Sequence, residues 1–188
     1  LARKQFVIFY FYVRGDRTMT SIIKVDTLQK ANGATPTAAD LGINTTGNVL
    51  QVVNTRFNNI MSTTSQTYTT TGHNVTITPT STSSRIIIAL NGGAWYISGG
   101  RTTMTMYRTI SGGSSVDLGA GSGNILAIRE GTTGASYNPH SIAAIDTPNT
   151  TSAITYDTRI LVETSGQTSY YSYPTYGYIE LIAYEIAG

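Results

Sequence analysis

Apolar and polar residues alternate along most of this chain, and no segment sustains a helical period. The strongest signal is TITPTSTSSRIIIALNGGAWYI, Thr76 to Ile97. It reads as a strand, a Pro/Ser/Thr turn, and a long buried strand that breaks at Asn91-Gly92-Gly93 and resumes. Val49 to Phe57 precedes it as a strand, and TYTTTGHNVTITP gives two short strands around Gly72. Arg101 to Ile110 follows, with Met104, Met106 and Arg108 on one face and Thr105, Tyr107 and Thr109 on the other. Further strands are expected at Ile125 to Glu130, His140 to Pro148, Ala153 to Glu163 and Tyr178 to Ala187. The last places Ile179, Leu181, Ala183 and Glu185 opposite Tyr178, Glu180, Ile182, Tyr184 and Ile186. Strand after strand with turn residues between them predicts an all-β, antiparallel β-sandwich, jelly-roll-like, over residues 47–188.

The pattern differs ahead of that domain. Residues 19–46 hold a short extended element with Ile23, Val25 and Leu28, then a turn at Ala31-Asn32-Gly33. Thr37 can cap one helical turn that runs through Leu41 and ends at Gly42. So little apolar surface cannot form a core, so this is an arm. Ile23, Val25, Leu28 and Leu41 are its candidate attachment residues. Residues 1–18 contain FVIFYFYV, too short for a membrane span, with no small-residue cleavage site after it. One expectation is a read-through upstream of Met19, where the composition changes. The other is a β-prone strand that adds Phe6, Ile8, Tyr10 and Tyr12 to a sheet edge on a neighbouring chain.

Composition sharpens this picture. Only 12% of the 188 residues are charged, about half the usual share, and Thr, Ser, Asn and Gly supply the polarity instead. Little charge means little repulsion between copies, which favours assembly over a free monomer. The absence of cysteine excludes disulfides, thiolate chemistry and Cys-ligated zinc. The formal charge is +2, but Arg3, Lys4, Arg14 and Arg17 against Asp16 give residues 1–18 a net +3 and leave −1 for the remainder. That distribution argues against a nucleic-acid partner.

Catalytic patterns are weak. His73 and His140 have no second ligand at metal spacing. Asp117, Glu130, Asp146, Asp157, Glu163, Glu180 and Glu185 are scattered, as carboxylates on solvated strand faces and turns would be. GAGSGN, Gly119 to Asn124, is followed by a strand where a phosphate-binding loop needs a helix. The best binding candidate is the tip SYYSYPTYGY, with Tyr170, Tyr171, Tyr173 and Tyr176 as receptor contacts. Exposed tyrosines combine large area, low rotamer entropy and a hydroxyl, which suits protein or sugar surfaces. The alternative places several of them inside a subunit interface.

Three stretches together resemble tail-fibre-like virion proteins of marine bacteriophages. SIIKVDTLQKANGATPTAADLGI is similar to the N-terminal leader of that family. GNVLQVVNTRF and TITPTSTSSRIII resemble the start of the β domain after it, and TISGGSSVDLGAGSGN with IELIAYEIAG its later loop and last strand. The resemblance runs from about Thr20 to Gly188, and residues 1–18 depart from it. It implies a trimeric, non-enzymatic virion component, anchored by its leader to other virion proteins. The distal domain would be exposed to a host-surface glycan or protein, with no cofactor, no nucleic acid and no membrane insertion. Two other readings stay open. One is a capsid decoration or extracellular filament subunit that exchanges strands through its N-terminal segment. The other is a glycan-cleaving fibre enzyme, which requires two facing carboxylates in a groove.

Overall fold

A computed structural model describes residues 28–37, 39–41, 46–97, 100–119, 128–132, 136–172, 175 and 177–188. The chain forms two units, Leu1–Gly42 and Ile43–Gly188. In the first, Asn32 Oδ1 accepts from the Ala34 N–H and holds a tight turn between Lys30 and Ala34. A 3-10 turn, Ala39–Leu41, follows. The Thr37 hydroxyl accepts from the Asp40 N–H, while the Asp40 carboxylate accepts from both the N–H and the hydroxyl of Thr37. The cap at Thr37 was expected from the sequence; the return bond from Asp40 makes it reciprocal. Lys30 pairs with Asp40, and together with Thr37 it holds that carboxyl below its ordinary range.

The second unit is all-β. Its strands are β1 (Val49–Phe57), β2 (Met61–Thr63), β3 (Thr69–Ile77), β4 (Arg85–Ile97), β5 (Gly100–Ile110) and β6 (Ser115–Asp117). They continue with β7 (Ile128–Thr132), β8 (Ser136–Asp146), β9 (Ile154–Val162), β10 (Ser169–Ser172) and β11 (Ile179–Ile186). The pairings among the described strands are all antiparallel and build two sheets. Sheet I runs β1-β11-β4-β8, because β8 occupies one edge of β4 along its length and β11 takes the other. The short β10 and β2 extend sheet I beyond the end of β11. Sheet II runs β3-β9-β5, with β7 and β6 sharing the far edge of β5.

Registers show which side chains meet. Val53, Ala183, Ile88 and Ala144 form one row across sheet I, and Thr55, Leu181, Leu90 and Ile142 the next. These rows face Val75 and Ile77 of β3, Met104 and Met106 of β5, and Ile154, Tyr156 and Ile160 of β9 in one core. Ile86, Ile88 and Leu90 are fully buried. Each contributes about 1.5–3 kcal/mol by leaving water, so the IIIAL run is the centre of the scaffold.

The Asn91-Gly92-Gly93 break is a bulge inside one continuous strand. The β4–β8 register shifts between Gly92 and Trp95, and φ is +90° at Gly92 and +66° at Gly93. A Cβ on Gly92 would stand 2.7 Å from the Tyr178 carbonyl oxygen, so β11 starts where only glycine fits. Gly72 likewise does not separate two strands. It has φ +75° within β3, where the pairing to β9 shifts register between Thr70 and Asn74. Pro139 lies in β8, in keeping with that strand's place at a sheet edge.

Candidate functional site

The tyrosine-rich tip does not form one exposed cluster. Tyr170 is half-buried on β10, opposite Tyr96 of β4 and Ser62 of β2. Tyr171, expected as a receptor contact, is fully buried in the core. Neighbouring residues of a strand point to opposite faces, so Tyr170 and Tyr171 cannot both look outward. Tyr173 and Tyr176 lie outside the described residues, as do Phe6, Ile8, Tyr10, Tyr12, Ile23 and Val25 of the attachment set. Leu28 and Leu41 are described and exposed, as attachment residues require in a lone chain.

Two outward clusters carry the chemistry instead. On sheet I, the Arg56 guanidinium sits 3.8 Å over the ring of Tyr178, which is exposed, and pairs with Glu180 at 3.1 Å. On sheet II, Asp117, Tyr107 and Asp157 stand side by side across β6, β5 and β9. Arg159 stacks on Tyr107 at 3.9 Å and binds Asp157 through Nε at 2.8 Å. Tyr68 meets Tyr107 edge-on at 6.0 Å. Burial, and after it the charge of Asp117, raises the pKa of both phenols.

Adjacent strands are about 4.8 Å apart, so Asp117 and Asp157 are about 10 Å apart at the backbone. That backbone separation would allow an inverting pair, whose carboxyl groups stand about 6.5–9.5 Å apart. However, the Tyr107 ring and the Arg159 guanidinium occupy the ground between them. Asp117 already accepts from the Thr105 hydroxyl at 2.7 Å and the Gly119 N–H at 2.9 Å, and Asp157 accepts from the Thr70 hydroxyl at 2.7 Å. What the cluster offers is an aromatic, hydroxyl-lined surface for contact.

Three interior polar groups were not legible as such. Glu185 belongs to the inward row Gln51–Glu185–Ile86–Asp146 and is fully buried, not solvated. Burial alone would raise its pKa. Hydrogen bonds from the Ser84 hydroxyl (2.6 Å), Gln51 Nε2 (2.6 Å), and the Thr80 hydroxyl (2.7 Å) and N–H (2.6 Å) outweigh that and hold it down to about 2. Asp146, in the same row, accepts from Arg108 at 2.7 Å and from the Tyr156 hydroxyl at 2.8 Å. It ties β8 of sheet I to β5 and β9 of sheet II. His73 is also buried, between the Tyr171 hydroxyl and the Thr55 carbonyl.

Each of these groups is engaged by neighbours in bonds that hold the two sheets or their turns together. Among the described residues, no three His, Asp or Glu side chains are grouped to hold a metal ion. No helix among them is long and apolar enough to cross a membrane. Neither the protein-family models nor the curated proteins contain a match to this chain.

Proposed function

We propose that this chain is a non-enzymatic virion structural protein, a tail fibre or fibre-tip adhesin that assembles as a homo-oligomer, a trimer, and touches a host cell surface. The observation that carries the reading is the strand order. β1-β11-β4-β8 packed on β3-β9-β5-β7 is the winding of a jelly roll, an architecture shared by viral capsid and lectin domains. A fold alone does not fix a function. The resemblance of the leader and β-domain stretches to marine phage fibre proteins narrows the choice to a virion part. The low charge and the structural engagement of the interior carboxylates fit a scaffold that binds rather than reacts.

Light scattering on the full chain tests the assembly, with a trimer expected at three times 20.1 kDa. Labelled protein bound to intact marine bacteria tests the adhesin role. A monomer at every concentration with no retention on any cell type would overturn the reading.

One observation favours the filament or decoration alternative. β8 is an eleven-residue edge strand whose only strand partner among the described residues is β4, so a neighbouring chain could add a strand there. Electron microscopy of the purified chain separates the two, since strand exchange gives open filaments and a fibre tip gives closed particles.

A further inference from the structure

The chain holds two Asn-Gly pairs, Asn32-Gly33 and Asn91-Gly92. A glycine after asparagine leaves its peptide nitrogen unshielded by a side chain, so that nitrogen can reach the asparagine carboxamide. The structure sets the two pairs in opposite surroundings. Asn32 and Gly33 are exposed and lie in a turn outside any strand or helix. The Gly33 N–H donates to the Lys30 carbonyl at 2.8 Å, and the Lys30 N–H to the Ala34 carbonyl at 2.8 Å. Asn32 Oδ1 accepts from the Ala34 N–H at 3.1 Å, which folds the carboxamide forward over the Gly33 peptide. A Cβ on Gly33 would meet nothing within 4 Å, so the space around it is open.

Asn91 lies inside β4, between β11 and β8. It pairs with Glu180 on one side and Ser141 on the other, and Gly92 pairs with Ile179 and His140. The Asn91 carboxamide turns sideways, where Oδ1 accepts from the Ser141 hydroxyl of the neighbouring strand at 3.1 Å. Gly92 is crowded, since a Cβ there would stand 2.7 Å from the Tyr178 carbonyl oxygen.

We propose that Asn32 is a site of spontaneous deamidation in the folded chain, and that β4 protects Asn91 from the same reaction. The Gly33 nitrogen gives its proton to a solvent base and bonds Cγ of Asn32. The Cγ–Nδ2 bond breaks, and the nitrogen leaves as ammonia with a proton taken from water. The cyclic imide that remains adds water at either carbonyl and opens to Asp or isoAsp. The Ala34 N–H already faces Oδ1, the oxygen that carries negative charge during the attack. Closing the ring also needs rotation about the Cα–C bond of the asparagine. At Asn32 this disturbs one exposed turn, and such turns open at little cost. At Asn91 it would break pairings on both sides of a strand in the middle of sheet I. The product puts a new negative charge, and in isoAsp an extra backbone methylene, into the turn that carries Lys30. The reaction involves only this chain and water, so it holds whatever the chain binds.

The test incubates the full chain at mildly alkaline pH, native and in guanidinium chloride. Samples are digested at intervals and both peptides are followed by mass spectrometry, with isoaspartyl methyltransferase to label the isoAsp product. Denaturant exposes the two Asn-Gly pairs alike and so separates the effect of the fold from that of the sequence. Asn32 should convert at similar rates in the native and the denatured chain. Asn91 should convert at least about tenfold more slowly in the native chain, which corresponds to an opening cost of about 1.4 kcal/mol or more. Asn91 reacting as fast in the native chain as in denaturant overturns the protection. Asn32 that stays intact in the native chain and reacts only in denaturant is shielded by its turn, which overturns the site. Asn32 that reacts in neither state overturns it as well.

Discussion

The hydroxyl of Tyr171 lies 2.8 Å from Nδ1 of His73, inside the sandwich. Nε2 of the same ring is 3.1 Å from the Thr55 carbonyl, which can only accept. Nε2 therefore carries the proton, and Nδ1 accepts from the phenol. Phe57 stacks on the imidazole with ring centroids 5.4 Å apart. Burial first of all lowers the pKa of His73 from its ordinary 6.5, so the folded protein keeps it neutral where the unfolded chain would protonate it. Stability is then full above 6.5 and falls as pH drops from there toward the lowered folded value. The steepest slope is about 1.4 kcal/mol per pH unit. Urea midpoints at pH 7.5 and pH 5 should differ for wild type by more than for His73→Gln. Equal differences would sink the assignment.

Tyr171→Phe keeps the ring and removes the donor, which leaves Nδ1 buried without a partner. The expected loss is about 1–3 kcal/mol at neutral pH. Were Tyr171 a receptor contact, the same change would alter cell binding and leave urea unfolding untouched.

Glu185 sets a second, more acidic window. Its folded pKa of about 2 lies below the ordinary 4.5, so its contribution is full above 4.5 and is lost as pH falls from there to about 2. The donors come from β1 and from the Thr80–Ser84 turn. Glu185→Ala strands them together and should cost on the order of 3 kcal/mol. Glu185→Gln should flatten the acid limb of the melting-temperature profile below pH 4.5. An unchanged limb would show that another carboxylate sets it.

Asp146 joins Arg108 and Tyr156 across the two sheets. Asp146→Ala leaves the mostly buried Arg108 unpaired and should destabilise by about 3–5 kcal/mol. Arg108→Met with Asp146→Ala removes both charges and should recover much of that loss. A double-mutant cycle with a coupling near zero would mean that the pair is incidental.

Gly92→Ala should be costly despite its size. The residue has φ +90°, and the new methyl would press on the Tyr178 carbonyl oxygen. A loss of about 1–3 kcal/mol is expected from denaturant unfolding. Gly112→Ala, at φ +79° but in open space, isolates the backbone part of that cost and should be milder.

Much of the scaffold was legible because its signals are local. Val49–Phe57 occupies its expected bounds, the long strand runs to Ile97 as expected, and Met104, Met106 and Arg108 share one face as expected, which is the inward one. The cap at Thr37 needed only a four-residue pattern. The polar interior was hidden because its partners are distant in sequence. Gln51 and Glu185 are 134 positions apart, and His73 and Tyr171 98. Alternation had placed Glu185 on the same face as Ile179, Leu181 and Ala183, and that was the available hint that it is buried. The burial of Tyr171 was hidden for a similar reason. Five tyrosines in ten residues look like a surface, but a short strand, β10, holds the first two and turns Tyr171 inward.

The position of β11 has a kinetic consequence. This closing strand lies between β1 and β4 in the middle of sheet I, and the Gly47 N–H still bonds the Ala187 carbonyl beyond it. A nascent domain therefore cannot complete its core until Ile186 has been made. Until then β4 and β1 both present open apolar edges. Such long-range pairing folds slowly, over milliseconds to seconds or more. Copies growing on one message would hold those edges near each other throughout, so strand insertion within the chain must outpace pairing between chains.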